Sequence, residues 1–200
     1  MAAISDEEAR EACEEIFRRY GLPKAMRSDN GVPFASSGLA NLTQLSAYWL
    51  RLGIELERIR PAHPEENGRH ERMHRTLKFE TTRPPRTNLL QQQQRFDEFI
   101  DEFNHERPHE GLGMKRPAHV YKPSPRKLPA RLDEPHYPEH DDVVAINKYG
   151  QIYFRRRQVV ISKALAFQYV GLREEPDGRW LVTFMNLDLG HITNNTLTPL

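Results

Sequence analysis

Two carboxylates stand out for their placement. Asp29 follows the short apolar run "PKAM" and precedes Asn30-Gly31, a pair that tolerates positive φ and turns the chain sharply. Glu71 lies in "ENGRHERMHRTLK", residues 66–78, a stretch of helical character. A carboxylate at a strand end and another in the helix after the neighbouring strand can converge on a shared Mg²⁺, which takes hard oxygen ligands and leaves places for phosphate and water. Two such ions, about 3.5 to 4 Å apart, activate an attacking oxygen and stabilise a leaving one in phosphodiester transfer. Taken singly, Asp29 is an Asx-turn or a helix cap, and Glu71 a solvated helix charge.

The same helix spells a second chemistry. His70, Glu71 and His74 have the H-E-x-x-H spacing of a zinc protease helix, with both histidines as ligands and Glu71 as general base. Arg69, Arg72 and Arg75 crowd that helix, and cations beside a divalent metal oppose its binding. In the carboxylate reading the basic residues fit instead. Arg75 and Lys78 follow Glu71 by four and seven positions, on its own helical face, where they can meet phosphates. A second basic group, Arg155, Arg156 and Arg157, is either a solvated turn or a contact for a nucleic-acid backbone.

These side chains need a scaffold. Ser5 and Glu8 form a capping box, and Ala9, Cys13, Ile16, Phe17 and Tyr20 recur at helical spacing up to Gly21. "KAMRS" reads as a short buried strand that delivers Asp29. Leu39, Leu42, Leu45, Tyr48, Trp49 and Leu52 mark a second helix closed by Gly53, and "IELERI" alternates as a strand. After the loop "RPAHPEENG" a third helix starts near Asn67 and runs to about Phe79, and a fourth covers residues 89–105. In "NHERPHEGLG", Arg107 can cap that helix and His109 and Glu110 can bond nearby backbone, which makes the stretch structural. Strands alternating with helices predict an α/β layer fold.

At 121–142 the pattern stops. Pro123, Pro125, Pro129, Pro135 and Pro138 exclude helix or central strand and predict a linker. From 143 the period becomes two, in "VVAI", "QIYFR", "RQVVI", "YVGLRE" and "RWLVTFM" separated by turns, which predicts a small antiparallel β-barrel over 143–200.

Composition narrows the partners. With 29 Lys+Arg against 28 Asp+Glu the net charge is +1, so any pull toward nucleic acid is local. The single cysteine, Cys13, excludes an internal disulfide framework and sits at apolar spacing, as a packing residue. No apolar run approaches the roughly 18 to 20 residues of a membrane span, and the acidic N-terminus is no signal peptide, so a cytoplasmic, nucleoid-associated protein with no membrane partner is expected.

As an ordered set, "GLPKAMRSDNGVPF", "GIELERIRPAHPEENGRHERMHRTLKFE" and "FNHERPHEGLGMKRPAHVY" resemble the successive signatures of bacterial insertion-sequence transposases of the DDE type, in the integrase catalytic core superfamily. The resemblance spans about residues 5–122. It implies a partial ribonuclease H-like integrase core over residues 1–120, the linker at 121–142 and the barrel behind it. It further implies Asp29 and Glu71 as catalytic and metal ligands, Mg²⁺ or Mn²⁺ as cofactor, transposon-end and target DNA as partners, and a homo-oligomer or a full-length transposase as protein partner. Arg75, Lys78, Arg155, Arg156 and Arg157 become DNA-binding residues. In such enzymes water and then a 3′-hydroxyl attack phosphodiesters in line.

This sequence departs from that pattern twice. The usual interval would place the glutamate at Glu65, but "NGRHER" supplies the helix context and selects Glu71, leaving Glu65 and Glu66 as charges near a helix N-terminus. The family's first aspartate precedes the helix with which this chain begins; Asp6, in a first helical turn, is no substitute. The expectation is therefore the C-terminal portion of a transposase, from an internal start, a frameshift or decay, that does not join DNA alone. The alternative is a non-catalytic DNA-binding or transposase-assembly module.

Overall fold

The computed structural model describes residues 5–29, 31–59 and 68–200, without the side chain of residue 69. The Asn30 turn, and the loop residues His63, Glu65, Glu66 and Asn67, lie outside the described residues. The chain forms two compact units, one of residues 1–58 with 124–200 and one of residues 59–123.

In the first unit, α1 (Asp6–Tyr20) begins with the expected capping box, in which Ser5 and Glu8 exchange bonds, and ends at Gly21 with φ of 80°. Strand β1 (Ala25–Ser28) pairs in parallel with β2 (Glu55–Arg58), Ser28 opposite Arg58. Between them α2 (Gln44–Arg51) is shorter than its apolar spacing suggests. Ala40 and Asn41 have φ of 50° and 54°, which breaks the helical run, and Thr43 starts a fresh helix with its own capping box to Ser46. Helix α2 buries Leu45, Ser46, Ala47, Trp49 and Leu50, which spread over two of its flanks, while Gln44, Tyr48 and Arg51 keep one side polar. Leu45, Trp49 and Leu52 join Ala9, Phe17, Leu22 and Ile54 in one core, while Leu42, Ala47 and Leu50 join a second core made of sheet residues.

That second core belongs to strands β3 (Asp142–Ala145), β4 (Gln151–Phe154), β5 (Arg157–Val160), β6 (Tyr169–Glu174), β7 (Trp180–Phe184), β8 (Leu187–Thr193) and β9 (Thr196–Pro199). Five of them form an antiparallel sheet in the order β3-β6-β7-β8-β9, and β4 with β5 forms a separate hairpin. The expected barrel is therefore not closed. The turn before β4 closes on itself, with Asn147 N–H donating to Gln151 O at 2.8 Å and Gly150 N–H to Asn147 O at 2.9 Å. Strand β9 makes no ladder with β5, and its Pro199 offers no N–H. Gly190 is required where β8 passes β9, since a Cβ there would stand 2.2 Å from Thr198 O.

The proline-bearing stretch is packed along its length. Leu22 N–H donates to Arg126 O at 2.7 Å, and a Cβ on Gly21 would stand 2.7 Å from Ser124 O. The Arg126 guanidinium donates to Pro23 O at 3.1 Å, Leu52 O at 2.5 Å and Gly53 O at 2.9 Å, where the chain enters β1 and β2. Leu128 and Leu132 pack on the α1/α2 core, Arg51 bonds Asp133 O, and buried Tyr137 donates to Tyr169 O at 2.8 Å.

In the second unit, α3 (Gly68–Thr81) packs on α4 (Leu89–Asp101), which widens into a π-helical turn at Glu102–Glu106, so the expected helix over 89–105 changes pitch near its end. The short α5 (Pro117–Val120) follows. What the structure establishes is a mixed α/β chain with a parallel strand pair and an open antiparallel sheet. Among the described residues no helix is long and apolar enough to cross a membrane.

Because α2 contributes side chains to both cores, the two should unfold together, so truncating Leu42, which lies just before α2 in the sheet core alone, should lower the stability of both. Leu42→Ala is expected to cost about 2–5 kcal/mol. Urea unfolding followed by tryptophan fluorescence and by amide exchange in β7 should shift by the same amount, whereas separate midpoints would mean that the cores fold independently.

Candidate functional site

Asp29 is exposed just past the C-terminal end of β1, the end of a parallel pair at which α/β proteins place ligands. Its Oδ1 accepts the Gly31 N–H at 3.1 Å, so the Asx-turn is real. The neighbouring strand ends in half-buried Arg58, whose Nη1 donates to Phe34 O at 2.6 Å and reaches Ser28 Oγ at 3.5 Å, while Nη2 donates to Asn41 O at 3.3 Å. Burial lowers the Arg58 pKa, and the Asp29 charge opposes that shift. One edge of the parallel pair is bridged on its surface by Arg27 and Glu57 at 2.8 Å. Below the loop, Phe34 stacks on Trp49 with centroids 5.9 Å apart, and Ala35 is buried.

In the second unit, Glu71 lies exposed in the first turn of α3, where a negative charge suits the helix dipole. Arg75 and Lys78 are exposed on the same helix at the spacing that sets them along one face with it. The His70 and His74 rings lie 4.1 Å apart; burial first, then His70 and Lys78, push the His74 pKa down. The far end of α3 is clamped. Glu80 accepts two bonds from Arg107, both at 2.9 Å, and Arg107 also donates to Glu102 at 2.5 Å. Arg107 lies over the rings of Phe99 and Phe103, and His109 Nε2 sits 3.3 Å from Phe103 O, which agrees with a structural reading of "NHERPHEGLG".

The three arginines of the sheet region differ in circumstance. Arg155 and Arg156 form the β4–β5 turn with φ of 46° and 64°. Arg155 lies over Trp180 at 4.8 Å and reaches Glu174 at 3.5 Å. Arg156 and Arg157 are exposed and have no ion-pair partner among the described residues. Asp29 and Arg155–157 thus belong to the first unit, and Glu71, Arg75 and Lys78 to the second.

Reading the sequence alone missed Arg58, Arg126 and the Glu80–Arg107–Glu102 clamp. Arg58 looks like the polar half of an alternating strand, and only its opposition to Ser28 in parallel register hints at its task. For a divalent cation the fit is incomplete. Asp29 is a suitable single oxygen donor, but a guanidinium stands beside it, and among the described residues no three of His, Cys, Asp or Glu gather where they could hold a metal ion.

Comparison with known proteins finds a likeness to integrases over part of the chain. The family described as "Integrase core domain" matches residues 52–117, the span from the end of α2 to α5 that contains Glu71. The chain is 39% identical over 75 residues to the Gag-Pol polyprotein of baboon endogenous virus (strain M7), covering 38% of this chain and 4% of that protein. It is also 39% identical over 75 residues to the Pol polyprotein of feline endogenous virus ECE1, covering 38% and 7%. The chain therefore spans only a small part of these relatives, which are retroviral rather than bacterial. A solved structure titled "CryoEM structure of simian T-cell lymphotropic virus intasome in complex with PP2A regulatory subunit B56 gamma" is similar at 16% identity with a TM-score of 0.49, covering 97% of this chain and 67% of the other.

The clamp has a pH signature. Arg107 holds the Glu80 carboxyl below its ordinary value, so its contribution is complete above about pH 5 and is lost as pH falls through the lowered value. Glu80→Gln should flatten the acid limb of stability of the second unit, measured by amide exchange in α3 between about pH 3 and 6. An unchanged acid limb would mean that the clamp does not hold the helix.

Proposed function

We propose that this chain serves DNA integration, as a DNA-handling part of a DDE-type transposase or integrase. The observation that carries the reading is the integrase core match over residues 52–117, which includes the helix bearing Glu71, Arg75 and Lys78. Support also comes from Asp29, exposed at the C-terminal end of a parallel strand, where ligands of α/β folds bind. Within this reading the first layer descends from a ribonuclease H-like core, and the ordered set of three motif stretches, which resembles those of bacterial insertion-sequence transposases, supports that kind of enzyme, acting in the cytoplasm at the nucleoid. Asp29 and Glu71 take the catalytic carboxylate roles, each a ligand for Mg²⁺ or Mn²⁺ in the complete enzyme, where the ion would lower the barrier to in-line attack on a phosphodiester. The described residues alone do not gather three ligands for such an ion.

The chain's own contribution is contact with the DNA backbone. Arg75 and Lys78 offer charge along α3, and Arg156 and Arg157 offer it at the tip of the β4–β5 hairpin. Arg155 is already engaged by Trp180 and Glu174, so it contributes less than its neighbours. A second reading, a DNA-binding or assembly module without catalysis beside a full-length or identical partner, is favoured by the lack of a three-ligand cluster among the described residues.

Two measurements test the DNA-handling role that both readings share. The 200-residue chain is expected to bind duplex DNA with a strong salt dependence and to join no DNA ends alone in Mg²⁺ or Mn²⁺; end joining that Glu71→Gln abolishes would instead make it a complete enzyme. Replacing Arg156 and Arg157 with Ala should each lower the slope of log affinity against log salt by about 1, with a smaller change for Arg155→Ala. Equal slopes in all three variants would remove the hairpin from the DNA contact.

A further inference from the structure

The proposed role of Asp29 raises the question of what holds its carboxylate in place, because residues 31–41 after it form turns, bends and a single short 3-10 turn. The loop's own bonds are short-range: Gly31 N–H to Asp29 Oδ1 at 3.1 Å, Phe34 and Ala35 N–H to Gly31 O, each at 2.9 Å, and Ser36 N–H to Asn41 O at 3.2 Å. The Phe34 carbonyl takes its donor from Arg58, which also adds a second donor to Asn41 O beside the Ser36 N–H.

We propose that Arg58 is the positioning residue of Asp29: its guanidinium ties the two ends of the loop to the last residue of β2 and so fixes the direction of the Asp29 carboxylate. The geometry favours this over a simple surface charge. A guanidinium is planar and forked, so one side chain can serve Phe34 O, Asn41 O and Ser28 Oγ at once. Ser28 is the residue before Asp29 and stands opposite Arg58 in the parallel register, so the tie acts one residue from the carboxylate. Arg58 is half-buried, with Asp29 as a charged neighbour. The loop beneath is anchored by Phe34 on Trp49 and by buried Ala35, so the remaining freedom lies at Asp29 and Gly31.

The inference rests on the proposed role of Asp29 for its purpose, but its test needs neither DNA nor metal. In the full chain with chelator present, NMR side-chain couplings should show Asp29 in one χ1 rotamer. Arg58→Gln should average that rotamer and speed Gly31 amide exchange about tenfold, while Val182 and Phe184 in β7 stay within about twofold. A residue that merely stabilised the unit would shift the β7 amides too and leave the Asp29 rotamer alone. Should Arg58→Gln unfold the protein, Arg58→Lys keeps the charge without the fork and is expected to loosen Asp29 and Gly31 in the same selective way. An Asp29 that stays in one rotamer in the folded variant, with Gly31 exchange within about twofold, would overturn the proposal. Loss of DNA binding in the wild-type chain would count against the proposed function and leave this result standing.

Discussion

Helix α2 has two apolar flanks, and the organisation of the first unit follows from that. One flank meets α1 and the parallel strands and the other meets the antiparallel sheet, while Gln44, Tyr48 and Arg51 keep the remaining side polar. Two cores that would otherwise be separate small domains, each marginal for its size, become a single buried body. The proline-rich stretch completes the enclosure. Its prolines lower the entropy lost on ordering it, and Arg126 ties it to backbone carbonyls at the entrance to β1 and β2.

This rigidity matters for chemistry because Asp29 and the β4–β5 hairpin are carried by the same body. A parallel pair of only two strands is a slight platform, yet α2 packs beneath it and Arg58 closes the loop above it. The second unit relies on a different device. Its core is small, centred on Phe99 and Phe103, and the ends of its helices are fastened by one arginine shared between two glutamates. A bidentate, charge-assisted bond fixes direction as well as distance, which suits a helix whose exposed face bears Glu71, Arg75 and Lys78.

Local pattern revealed the parts of this structure that local forces make. The Ser5–Glu8 box, the strand leading to Asp29, the strand at Glu55–Arg58 and the long helix through Glu71 all follow from periodicity and capping. The break before α2 was missed because apolar spacing ran through it, although Thr43 and Ser46 carried the signal of a new cap. Strands β8 and β9 escaped notice because their turn is Asn194-Asn195, with φ of 52° and 61°, rather than a glycine pair. Other features had no local sign. Arg126 bonds carbonyls more than 70 residues away, Arg107 reaches Glu80 across 27, and whether a set of strands closes into a barrel depends on which edges meet. The same holds for the candidate site, where the residue types were legible and the brace at Arg58 was not.

The account stands or falls on contact with DNA, and the most direct test is to map it on the protein. Ultraviolet crosslinking of the 200-residue chain to duplex DNA, with the linked peptides identified by mass spectrometry, should place crosslinks on α3 around Arg75 and Lys78 and on the β4–β5 hairpin around Arg156 and Arg157. Crosslinks found only elsewhere, for example on α4 around the exposed Asp97 and Asp101, or none under conditions in which a known DNA-binding protein is captured, would contradict it.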